Sequence, residues 1–129
     1  MDTQAAQRVA HDGGADLFGV CPFVTSQSVL QGKWAILILH HLAEGPLRFN
    51  ELLRRMDVAQ GTLSKQLKNL EHEGLVRRTV HTDGPLRVEY ELTDIGLKFR
   101  GVLDAIEAWG NDYIEFLHAN REFLHANRD

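Results

Sequence analysis

Apolar residues recur along this chain at two spacings, and the change between them divides it. Leu63, Leu67 and Leu70 stand at i, i+4 and i+7, which is one face of an α-helix. Gln60, Thr62, Lys65, Lys68 and Asn69 fall on the other side. Gly74 predicts the end of this helix, because glycine takes the left-handed C-cap conformation at little steric cost. Upstream, Phe49, Leu52, Leu53 and Met56 predict a helix of two turns, joined to the next by Asp57-Val58-Ala59; two short helices so connected form a helix-turn-helix. Residues 33–43 carry Trp34, Ile36, Leu37, Ile38, Leu39 and Leu42, apolar on nearly every side, and predict a buried helix closed by Glu44-Gly45-Pro46. Leu47-Arg48 reads as a brief extended segment. Cys21-Pro22 predicts the start of a short helix reaching about residue 30, with proline in its first turn and Gly32 breaking it.

After Gly74 the period falls to two. Leu86, Val88, Tyr90 and Leu92 alternate with Arg87, Glu89 and Glu91, a half-buried strand. Residues 76–81 supply its partner and Thr82-Asp83-Gly84-Pro85 the turn. A two-stranded hairpin after a helix-turn-helix is a wing. Thr93 is a good N-cap for a long terminal helix, in which Ile95, Phe99, Val102, Ile106, Trp109, Tyr113 and Phe116 step by four and three, a heptad seam. Leu103, Ile114 and Leu117 widen the seam, so this helix is expected to pack on its own domain and on a second subunit. Gly96, Gly101 and Gly110 mark either close approaches or tolerated costs. The heptad EFLHANR occurs at 115–121 and again at 122–128. The division expected is a flexible arm at 1–18, a mainly α domain with a small β wing at 19–118 that ends in a dimerisation helix, and an extension at 119–129.

A chain of 129 residues suits one domain with a real core. Its longest aliphatic run, at 35–39, is too short for a bilayer, its start lacks the pattern of a secretory signal, and Cys21 is its single cysteine, so a cytoplasmic location is expected. The net charge of -4 argues against a nucleic-acid partner, because phosphate contacts need Lys and Arg. The distribution alters that. Between residues 46 and 90, eight basic residues face six acidic ones, a local charge of +2 that leaves -6 for the rest. Such asymmetry suggests a modest basic face on an acidic body.

In order and spacing, Cys21-Pro22, Gly32-Lys33-Trp34, Gly45, Arg48-Phe49, Glu51-Leu52, Leu63, Leu67, Leu70, Gly74-Leu75-Val76, Val88-Glu89-Tyr90-Glu91-Leu92-Thr93, Gly96 and Trp109 resemble the HxlR-type winged helix-turn-helix transcription regulators, relatives of the MarR type. The likeness spans roughly residues 20–116. It implies a homodimer that joins through its first and last helices and binds double-stranded DNA, with the helix from about residue 60 to 73 in the major groove and the wing beside it. Two such helices would meet successive major grooves about 34 Å apart on a pseudo-palindromic operator. The chain departs from the family at Ala59-Gln60, where members often have Ser, Thr or Pro.

Thr62, Lys65 and Gln66 are the candidates for base edges, from hydroxyl, ammonium and carboxamide chemistry. Gln60 and Lys68 on the same helix could as easily meet phosphate, which positions without specifying, and Arg77, Arg78 and Arg87 of the hairpin are candidates for that purpose, although Arg78 could instead be tied inward by Glu89; Ser64 and Arg48 complete the DNA-binding candidates. Cys21 carries two open readings. A thiol at a helix N-terminus is made more nucleophilic by the dipole, and by resemblance some relatives sense oxidants, quinones or aldehydes at a matching cysteine; alternatively it is a small packing residue. A small-molecule effector beside Trp34, Trp109 and Tyr113 is a further expectation. His40-His41 face different sides of a helix and lack metal-ligand spacing. No nucleophile elbow, phosphate loop or dinucleotide fingerprint is present, so neither an enzyme nor a cofactor is expected. The alternative function is a winged-helix module that binds protein instead of DNA.

Overall fold

The computed structural model describes residues 17–121. The arm up to residue 16 and the second copy of the repeated heptad lie outside them. Nine elements follow in order: α1 Pro22–Val29, α2 Ala35–Leu42, β1 Leu47–Arg48, α3 Phe49–Met56, α4 Gln60–His72, β2 Val76–His81, β3 Arg87–Leu92, α5 Asp94–Leu97 and α6 Arg100–Ala119.

The core gathers the inner faces of the helices over the small sheet. Ile38, Leu39 and Leu42 of α2, Leu52 of α3 and Leu63, Leu67 and Leu70 of α4 are fully buried, with Leu47, Leu75, Val76 and Leu92 joining from the strands and their approach. Burying one such side chain stabilises by about 1.5–3 kcal/mol, which offsets the poor propensity of these short helices. α1 begins at Pro22 with Cys21 as its N-cap residue. Gly32 and Gly74 take positive φ (97° and 84°), each ending a helix as expected.

Several sequence expectations are changed or sharpened. The buried helix starts at Ala35, two residues late, because Gly32, Lys33 and Trp34 form a turn. It is not buried all round: Ile36 is 40% exposed, opening on a groove of about 1040 Å³ against α6. Leu47–Arg48 is a true strand, pairing Leu47 with Tyr90 and Arg48 with Glu89, so the wing hairpin belongs to a three-stranded antiparallel sheet of order β1-β3-β2. Leu86, expected at the start of the half-buried strand, is 73% exposed because it lies in the turn. Finally, the terminal helix is interrupted. Thr93 does cap it, its hydroxyl accepting from Gly96 N at 3.2 Å and donating to the Gly74 carbonyl at 2.6 Å. After one turn, however, Phe99 N donates to Gly96 O at 3.0 Å, a tighter 3₁₀-type bond, and α6 starts afresh at Arg100.

The three glycines of this region separate accordingly. A Cβ on Gly96 would collide with the Leu75 carbonyl oxygen, whereas one on Gly101 or Gly110 would meet nothing within 4 Å. Thr93 ties the end of α4 to the start of α5, so Thr93→Ala is expected to cost about 1–2 kcal/mol, as N-cap losses do, measured by urea titration.

α6 is twenty residues long and none of them is buried. Its beginning is anchored: the Arg100 guanidinium donates to the Ala43 carbonyl at the end of α2, through Nε at 2.9 Å, and Phe99 and Leu103 pack on the core. Beyond them, Trp109, Tyr113 and Phe116 stack along the outside, with ring centroids 5.1 and 5.5 Å apart. Within the protomer the expected packing of this helix on its own domain is confined to its first turn or two. No helix among the described residues is long and apolar enough to cross a membrane.

Candidate nucleic-acid interface

α4 and the hairpin are set against each other by the chain between them. Leu75 N donates to Leu70 O and Gly74 N to Glu71 O, both at 3.0 Å, closing the helix with the paired bonds of a glycine C-cap and turning the chain directly into β2. The start of α4 is less well specified. Ala59 occupies the N-cap with no side-chain bond and Gln60 and Gly61 of the first turn are exposed, a helix start of the kind that favours anions.

Leu63, Leu67 and Leu70 seat α4, which leaves Gln60, Gly61, Lys65, Lys68 and Asn69 exposed and Thr62 and Ser64 half-buried. At about 100° per residue, Lys65 and Lys68 fall on the side opposite the leucines. Gln66 does not join them. Its Oε1 is buried with no hydrogen-bond partner, and its carboxamide lies over Gly32 so closely that a Cβ there would be 2.6 Å from Cδ. The base-contact expectation for Gln66 is therefore revised: at position 66 the side chain flanks the leucine stripe and packs on the α1–α2 turn.

The hairpin register sorts the wing arginines. β2 and β3 pair Arg77 with Glu91, Arg78 with Tyr90 and Thr79 with Glu89, and alternate residues take opposite faces. Arg78 shares a face with Val76, Val80, Val88 and Tyr90, and meets Gln60, Gly61 and Ser64 across a groove of about 660 Å³. Arg77 and Arg87 share the outer face with Thr79, His81, Glu89 and Glu91. There Arg77 Nε lies 3.2 Å from Glu91 Oε1, and Glu89 Oε1 takes His81 Nε2 at 2.7 Å. An inward tie from Arg78 to Glu89 is thus replaced by two other cross-strand pairs, because register puts Arg78 and Glu89 on opposite faces.

Arg48 sits in a neighbouring concavity of about 680 Å³ with Asn50, Arg54 and Glu89. Its backbone N–H donates to Glu51 Oε1 at 2.8 Å, half of a capping box. Arg54 and Asn50 are the members that reading the sequence missed; their signal is position, since Arg54 stands on the turn of α3 above Arg48. The candidates thus resolve into an exposed lysine face on α4 (Lys65, Lys68, beside Thr62), a groove of Gln60, Ser64 and Arg78, and a flank of Arg48 and Arg54. Arg77 and Arg87 lie apart. Away from this surface, burial first, then His40 and Arg55, holds the His41 imidazole below its ordinary titration range.

Comparison with known proteins gives a consistent picture. Residues 29–118 match the HxlR-like helix-turn-helix family. The chain is 40% identical over 93 residues to the HTH-type transcriptional regulator YtcD of Bacillus subtilis, covering 71% of this chain and 74% of that one. The solved redox regulator HypR, in its reduced form, superposes with a TM-score of 0.65 at 32% identity, over 81% of this chain and 98% of its own. The reduced form of the transcriptional regulator YodB from B. subtilis gives a TM-score of 0.66 at 33% identity, over 73% and 94%.

Proposed function

The chain belongs to the HxlR-like helix-turn-helix family of transcriptional regulators, and from that premise we propose that it binds double-stranded operator DNA as a homodimer, reading bases through α4. The observation that carries this reading is the outward face of α4. Its exposed lysines stand clear of any acidic partner among the described contacts, beside a helix start that no N-cap side chain closes. Lys65 and Thr62 meet base edges, while Lys68, Gln60, Ser64 and Arg78 meet phosphate. Arg48, Arg77 and Arg87 contribute less, since register places Glu89 or Glu91 on the same face beside them. A lone α4 offers few contacts, so a second copy, joined through the unpartnered faces of α1 and α6, supplies the rest.

The test is an anisotropy titration against duplexes from the chain's own upstream region at several salt concentrations. Lys65→Ala with Lys68→Ala is expected to weaken binding by about 1–3 kcal/mol and to flatten the salt slope by one to two ions, as roughly one to two phosphate contacts would. Indifference to both salt and the lysines would remove the reading in favour of a module that binds protein.

Control by oxidants or electrophiles at Cys21 is the accompanying proposal. Cys21 is half-buried as the N-cap residue of α1, and two structural relatives have a redox connection, HypR as a redox regulator and YodB as a protein solved also after diamide treatment. With one thiol per chain, the products open to it are a mixed disulfide, an alkylated thiol or a bond between the cysteines of two protomers. Diamide is expected to change DNA affinity of the wild type and to leave Cys21→Ser unaffected; an unchanged wild type would confine Cys21 to packing.

A further inference from the structure

Neither DNA contact nor the buried leucine stripe accounts for the placement of Gln66 on α4. It is polar, it lies on the flank of the leucine stripe, and its carboxamide oxygen is fully buried without a partner, a state that costs about 1–3 kcal/mol. The surface beneath it is Gly32, at φ +97°, where any Cβ would overlap the Gln66 amide nitrogen and oxygen. Gly32 is thus glycine for two reasons, its backbone angle and the side chain seated on it. The turn it belongs to ends the helix that Cys21 begins: Leu30 caps α1, and Ala35 N bonds back to Gly32 O at 3.4 Å to open α2.

We propose that Gln66 is a positioning residue, and that its seat on Gly32 sets the roll of α4 about its own axis and so the aim of the residues that read DNA. This rests on the DNA-binding reading above. The geometric reason is that Leu63, Leu67 and Leu70 span only about 60° of the helix circumference, at about 100° per residue. A stripe that narrow resists lifting of the helix but resists rolling poorly. Gln60 and Ser64 abut the wing on one flank; Gln66 closes the other flank, against the α1–α2 turn. A roll of about 20° would carry side-chain ends at a radius of about 5–6 Å through roughly 2 Å, enough to break a hydrogen bond to a base edge. The seat also joins α4 to the turn at the end of α1, so a displacement of α1 reaches the reading face at this point.

Filling, not hydrogen bonding, is what the seat requires, and this separates positioning from base contact. The full-length protein is titrated by anisotropy against a duplex that the wild type selects from a randomised library, and against single base-pair variants of it, with thermal melts in parallel. Gln66→Met, which keeps the volume and removes the orphaned oxygen, is expected to bind within about threefold of wild type and to melt no lower. Gln66→Ala, which leaves the seat empty, is expected to lose about tenfold on the selected duplex and less on its variants, so that discrimination falls at several base pairs together and not at one. If Met loses as much as Ala, with the loss confined to one base pair, Gln66 is a base reader and the proposal falls. If Ala lowers the melting temperature and leaves affinity intact, the contact is merely structural and it falls likewise. Lys65→Ala in the same series keeps the two readings apart: a wild type that selects no duplex overturns DNA reading itself, whereas loss with Lys65→Ala and none with Gln66→Ala overturns positioning alone.

Discussion

Gly96→Ala is expected to cost about 3 kcal/mol and to lower the melting temperature by roughly 10–20 °C, the shift such a loss produces in a domain of this size. Gly96 is buried at the crossing of α5 over the end of α4. A methyl group there would run into the Leu75 carbonyl oxygen and stand 3.2 Å from the carbonyl carbon and 3.3 Å from Leu92 Cβ. That oxygen is not free to move, since it accepts from Thr93 N at 3.0 Å. Thr93 in turn holds Gly74 O, and Leu75 N holds Leu70 O. The collision would therefore pass to the junction that orients the wing against α4, so the loss should reach DNA binding as well as stability. Gly101→Ala is the control. It adds the same methyl group to a helix one turn further on, where nothing lies within 4 Å, and should be neutral or stabilise by up to about 1 kcal/mol on propensity alone. Differential scanning calorimetry of the two variants checks both; equal melting temperatures would mean that the Leu75 carbonyl can give way.

That pair of glycines also shows what was legible in the sequence and what was not. Features set by neighbours in the chain could be read directly: the leucine spacing of α4, the positive φ of Gly74, proline in the first turn of α1 and the Thr93 cap each depend on a few adjacent residues. Features set by meeting a distant segment could not. Gly96 and Gly101 look alike in sequence and differ only because Leu75 passes one of them. Gln66 was assigned to the reading face from its chemistry, and Gly32, thirty-four positions away, draws it inward. Arg78 and Glu89 looked like partners, yet a register fixed by the length of the hairpin turn puts Arg77 opposite Glu91 instead. Leu47–Arg48 was recognised as extended, but its partner Tyr90 lies across three intervening elements. At the candidate interface, then, the sequence identified the elements and most of the cations, while the division of those cations between a reading face, a groove and a paired outer face had to come from the sheet.

The second large effect is expected at the far end of the molecule: Trp109→Glu together with Phe116→Glu should turn the proposed dimer into a well-folded monomer and lower affinity for the proposed operator by about a hundredfold or more, the loss that follows when a second linked site is removed. The argument starts from what α6 lacks. Helices in proteins owe most of their stability to packing an apolar face, not to propensity, and none of the twenty residues of α6 is buried against its own domain. Yet Trp109 is 66% exposed and Phe116 45% exposed, in a stacked aromatic row through Tyr113 that the exposed Val102 continues on the same face. An apolar stripe at heptad spacing on an uncovered helix is the form of surface that a second copy covers. Because both aromatics are exposed in the protomer, charging them should leave the core of α2, α3 and α4 intact, and circular dichroism and the melting of a diluted sample should show a folded chain. Light scattering should report a fall from twice the 14.6 kDa chain mass to that mass alone. Residual binding of the monomer should keep its salt dependence, since Lys65 and Lys68 are untouched, while losing its preference for two-fold related half-sites. A double variant that remains dimeric would place the protomer contact elsewhere, on the exposed Val20 and Phe23 around the start of α1; one that becomes monomeric with undiminished affinity would mean that a single α4 and its wing suffice for the operator.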